Sequence, residues 1–166
     1  MVVATALLVV LSRTAAENLF TRRNETPTMP LHRSHADMVS ALIIVLTALA
    51  GAAVWSHLPA EIAIHFSASG TPDNHVSKPV GVALLPALMV GTLLILKGAF
   101  RYDPPDTPRV AATITVATIA FMGAIHGLVL AWNLGYPVPF DLALVGSLVW
   151  AVFVIGYAVR AEYVHG

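Results

Sequence analysis

Apolar residues in this chain gather into four long runs, separated by short polar segments that hold nearly all of the charge. The runs extend from Met38 to Trp55, Pro79 to Leu96, Val110 to Trp132 and Phe140 to Val159, each 18 to 23 residues long. A helix needs roughly 20 residues to cross ~30 Å of hydrocarbon at ~1.5 Å per residue, so every run is long enough to span. None shows the apolar–polar alternation of a membrane strand, and lipid tolerates only helices and closed barrels. The pattern predicts an all-α integral membrane protein, a four-helix bundle.

Local signals mark the helix ends. Ser34 with Asp37 three residues on reads as a capping box opening the first helix. Ser77 stands before Pro79 at the second, and Thr107 before Pro108 at the third. Pro137 and Pro139 precede the fourth helix, whose first turn holds Asp141, suited to the positive end of a helix dipole.

Composition agrees with this reading. The 166 residues are 57% hydrophobic and 11% charged, with a mean hydropathy of +0.78; soluble domains are about half apolar and about a quarter charged. There is no cysteine, which excludes disulfides and thiolate chemistry. A formal net charge of zero leaves no bulk attraction for nucleic acid. The bilayer is the expected partner.

Charge placement sets an expected orientation. Arg13, Arg22, Arg23 and Arg33 precede the first run, Lys97, Arg101 and Arg109 lie between the second and third, and Arg160 follows the fourth. Only Lys78, of nine Lys and Arg, lies on the other side. The positive-inside rule then places both termini in the cytoplasm of a multi-pass cell-membrane protein, with the loop between helices 1 and 2 extracytoplasmic. Three segments follow: residues 1–33, an N-terminal stretch; 34–97, the first helix pair with its outer loop; and 98–166, the second pair with a short tail. Met1–Leu11 is apolar but too short to span, and is either a membrane-surface or signal-like segment or the product of a start that belongs at Met29.

The outer loop is the most informative stretch. Ile62-Ala63-Ile64-His65-Phe66 alternates as an extended segment does, and Gly70-Thr71-Pro72-Asp73-Asn74 is turn chemistry, with Gly70 free to take positive φ. This predicts an ordered cap that packs Ile62, Ile64 or Phe66 on the helix ends. His65 and Asp73 then come within hydrogen-bond reach across the turn, with Lys78 placed to neutralise Asp73. The bland alternative is that both residues only hold the loop's shape. The loop also holds His57, His75 and Glu61, and the alternative reading is a metal-dependent membrane enzyme using His65 and Asp73 with His57, His75 or His126, but the spacing fits no metal signature, so no metal ligand is assigned.

In the third run, Gly123 and Gly127 form a small-xxx-small pair suited to close helix packing. Between them stands His126, the one ionisable group well inside a span, readable as a functional group or as a buried histidine with a satisfied ring. No nucleophile elbow or paired intramembrane carboxylate occurs, so no catalytic residue and no cofactor is assigned.

Leu58-Pro59, Ile62, His65-Phe66, Gly70, Asp73, Lys78 and Pro86 together resemble the domain of unknown function that forms the N-terminal half of SdpI-type immunity proteins. The resemblance covers about Val39 to Leu96. Ala63 stands where that family usually has proline, and His75 where Gly or an aromatic is common. It implies a loop motif of Pro59, His65, Phe66, Gly70, Asp73 and Lys78. It also implies protection of a membrane against a secreted toxic peptide, or tethering of a cytoplasmic repressor.

Overall fold

The computed structural model describes residues 31–67, 69–105 and 108–165. The expectations for Met1–Leu11, Met29, Arg13, Arg22, Arg23 and Thr107 fall outside these residues. Four helices carry the chain: α1 (Leu31–Ala53), α2 (Lys78–Tyr102), α3 (Pro108–Asn133) and α4 (Phe140–His165). Each contains a stretch long and apolar enough to cross a membrane. The all-α class therefore holds for the spans, and the connection from α1 to α2 adds a small antiparallel hairpin of β1 (Glu61–Phe66) and β2 (Pro72–Ser77).

The helix ends depart from the local signals where a tertiary partner intervenes. α1 already includes Leu31, so Ser34 lies inside the helix and is not its N-cap. No Gly or Pro interrupts residues 31–50, so nothing forces a later start. Asp37, expected to close a capping box, instead accepts a hydrogen bond from Lys97 Nζ at 2.5 Å, which ties the start of α1 to the last turns of α2. At the other end, α1 stops at Ala53 and passes through a 3-10 turn, Trp55–His57. Leu58 is extended at φ −76° and ψ 144°, as expected of a residue followed by proline. Ser77 occupies the N-cap of α2 without a side-chain cap bond. α2 and α4 outlast their apolar runs, because a helix stays internally hydrogen-bonded after its side chains turn polar.

α3 is the central helix. It packs on α1, α2, α4 and β1, whereas α4 contacts α3 alone among the described elements. Ile44, Met89 and Ile119 form the middle of the three-helix core. Leu58, Ile62, Val82 and Leu130 form a second cluster beneath the hairpin. The buried Ser40 hydroxyl has no partner among the described residues, whereas two threonine hydroxyls inside the bundle are satisfied locally: Thr47 donates to the Ile43 carbonyl and Thr115 to that of Ala111, both at 2.8 Å. This back-bonding lets polar side chains sit in a spanning helix at little cost.

The close approach expected of the Gly123–Gly127 pair occurs at Gly123 alone. A Cβ on Gly123 would stand 3.0 Å from Thr47 Oγ1 of α1, whereas one on Gly127 would meet nothing within 4 Å. Gly127 instead lines the groove that opens between α1 and α3.

Candidate functional site

The hairpin is built by its turn and seated by its apolar face. Gly70 adopts φ 78°, a conformation that glycine takes without the steric cost a Cβ would add. Ser67 N–H donates to the Thr71 carbonyl at 2.8 Å and Gly70 N–H to the Ser67 carbonyl at 2.9 Å, closing the turn. Ile62, fully buried, sits over Gly81 at the start of α2. A Cβ on Gly81 would fall 2.5 Å from Ile62 Cβ, so only glycine permits this seat. Phe66 lays its ring edge-on to Trp132 of α3, with centroids 5.2 Å apart. Lys78 N–H donates to the Ala60 carbonyl at 2.8 Å, joining the hairpin's base.

The strand register is irregular where chemistry appears. Ala63 pairs with His75, His65 with Asn74 and Phe66 with Pro72. Ile64 is thus an extra residue on β1 and Asp73 an extra residue on β2. Such bulges re-aim side chains, and here they bring His65 Nδ1 to 2.6 Å from Asp73 Oδ1. Both side chains remain open to the surroundings, 70% and 47% exposed. A nitrogen–oxygen contact of that length is short even for a charge-assisted hydrogen bond. The pair presents an imidazole edge and a carboxylate on the face turned away from the helices.

The other loop residues sort around this pair. Lys78 does not act on Asp73 as anticipated: its Nζ donates to the Trp55 carbonyl at 3.2 Å and lies 5.6 Å from the Trp55 ring centroid. The carbonyl and indole ring of the 3-10 turn take up the Lys78 ammonium, and the Asp73 carboxylate is paired with His65. Pro59 ends the turn after α1 and sets the extended entry to β1. His57 contacts Ser56 Oγ at 3.2 Å, and His75 faces outward from β2. Among the described residues no three His, Asp or Glu side chains converge as metal ligands would.

His126 is buried in α3, 2% exposed, at the edge of a groove of about 350 Å³ between α1 and α3. Its Nε2 has no hydrogen-bond partner among the described residues and faces Gly51 of α1, where a Cβ would lie 3.5 Å away. The expectation of a satisfied ring is not met at this nitrogen, because the facing stretch of α1 offers glycine and aliphatic side chains rather than an acceptor. His126 and the His65–Asp73 pair are thus separate features.

One residue at the site left no trace in the sequence reading. Asn133, the last residue of α3, reaches β1: Ala63 N–H donates to its Oδ1 at 2.9 Å, and its Nδ2 donates to the Ala63 carbonyl at 3.0 Å. The available signal was an amide side chain closing an apolar span, two helical turns beyond His126.

Residues 42–90 match the model of a domain of unknown function, DUF1648. This family occurs in membrane proteins. The matched segment includes the second half of α1, the whole hairpin and the first half of α2, so it contains the His65–Asp73 pair and ends before α3. No curated protein and no solved structure matches the chain.

Proposed function

We propose that this multi-pass membrane protein guards its membrane against a membrane-active secreted peptide, with the hairpin as the recognition surface. One observation carries the reading: an exposed His65–Asp73 pair, 2.6 Å apart, on a hairpin seated against the ends of α2 and α3. A paired imidazole and carboxylate on a fixed strand offer a donor and acceptors at the membrane surface, where a cationic or amphipathic peptide would arrive. The SdpI-type resemblance of the same residues points the same way. In this proposal the termini are cytoplasmic and the hairpin is outside, as eight of nine Lys and Arg favour.

The deciding experiment compares His65→Gln and Asp73→Asn with the unchanged protein in the native host, under challenge with secreted membrane-active peptides. Equal membrane levels with lost protection support the reading. Equal levels with intact protection overturn it. Orientation is checked in this cysteine-free chain by Ser69→Cys and Asp106→Cys, which label from opposite faces of intact cells if the topology is right.

A further inference from the structure

β1 has two edges. One pairs with β2, and the other turns toward the end of α3, where Asn133 stands in for a third strand. Its carboxamide accepts from Ala63 N–H and donates to the Ala63 carbonyl, the two bonds a neighbouring strand residue would make. A third bond, Nδ2 to the Val129 carbonyl at 2.8 Å, ties the side chain to its own helix. Both Nδ2 protons are then committed, which fixes which way the amide faces. Ala63 is fully buried, so releasing Asn133 would leave a buried N–H and a buried carbonyl unpaired. Phe66 grips Trp132, the neighbour of Asn133, so the end of α3 holds β1 at both sides of the bulge.

We infer that Asn133 is the positioning residue of the His65–Asp73 pair. The register irregularity begins at the very residue that Asn133 pins: Ala63 is the last regular partner before Ile64 is left over. A one-residue slip would remove that bulge, and would also turn the side chains of β1 to the opposite face. With both backbone groups of Ala63 held by α3, the strand cannot slip, and His65 stays aimed at Asp73. The outer pair is therefore set by a residue of the second helix pair, 70 positions from Ala63 and outside the matched domain. The functional consequence rests on the peptide-recognition reading; the geometric claim does not.

The test uses the full chain, carrying 15N-labelled histidine and alanine, in lipid nanodiscs. The His65 ring signals are assigned by their loss in His65→Gln, and Asp73→Asn supplies the signature of an unpaired ring. Asn133→Leu should move the His65 ring shifts to the Asp73→Asn position and speed Ala63 amide exchange by about tenfold or more. Asn133→Asp keeps the size and one acceptor for Ala63 N–H but loses both donors. It should move the same signals part of the way, and carries the test if the leucine variant does not fold. Trp150→Ala, which disturbs α3 on its other side, should leave them in place. Unmoved His65 shifts in a folded Asn133 variant overturn the inference, whatever happens to protection. Shifted His65 signals with intact protection uphold the inference and overturn the peptide-recognition reading instead.

Discussion

Two regions are held to the three-helix core by opposite means. The hairpin is fastened by shape and by backbone pairing: Ile62 over Gly81, Phe66 against Trp132, and Asn133 bonded to Ala63. α4 is fastened by side chains along one stripe. Trp150 stacks on Phe121 with centroids 4.4 Å apart and donates through Nε1 to the Ala117 carbonyl at 3.3 Å. Farther along, Tyr157 Oη lies 3.5 Å from Thr113 Oγ1. None of the spanning window of α4 is buried, against 22% in each other span. The difference follows from solvent. A helix in lipid gains little by hiding leucine from a neighbour, so α4 needs only a few specific contacts. The hairpin lies beyond the helix ends, where apolar burial and satisfied backbone groups again decide stability.

That contrast can be broken most directly at Ile62. Ile62→Ala removes a fully buried side chain from the cluster beneath the hairpin, and should destabilise the protein by about 2–5 kcal/mol, read as thermal unfolding in detergent. A change below about 1 kcal/mol would mean the hairpin is not seated as described. Phe66→Ala should cost less, about 1–3 kcal/mol, because Phe66 is only half-buried and loses mainly its contact with Trp132. A double-mutant cycle with Trp132→Ala should return a coupling of about 0.5–1.5 kcal/mol.

Trp150→Ala sharpens the comparison from the other side. It should raise hydrogen exchange and protease cleavage in α4 while the hairpin amides stay protected, and faster exchange in both regions would show them to be one cooperative unit. The smallest effects belong to the periphery. Asp37→Asn should shift stability by about 0–1 kcal/mol, since the Asp37–Lys97 pair is partly open at 31% and 48% exposure. Leu148→Ala, on the outward face of α4 at 61% exposure, should change unfolding by no more than about 0.5 kcal/mol. A large effect there would place another protein surface, not lipid, against that face.

The sequence by itself determined the four spans, since run length and helical rise depend on nothing beyond the chain's own order and the thickness of the bilayer. It also determined the turn, because Gly70 at positive φ and Pro72 after it are local requirements. His65 and Asp73, eight residues apart across that turn, could be brought together on the same grounds. Tertiary structure alone decided the rest. Asn133 and Ala63 lie 70 positions apart, and no periodicity or turn rule couples residues at that distance. Gly81 reads as one more small residue in an apolar helix until Ile62 is placed on it. Ser34 has the form of a cap, yet α1 continues through it and Asp37 is drawn to Lys97. Short-range rules describe what a segment can form by itself; which amide closes a strand edge, and which glycine admits a side chain, depends on elements that meet only when the helices have packed.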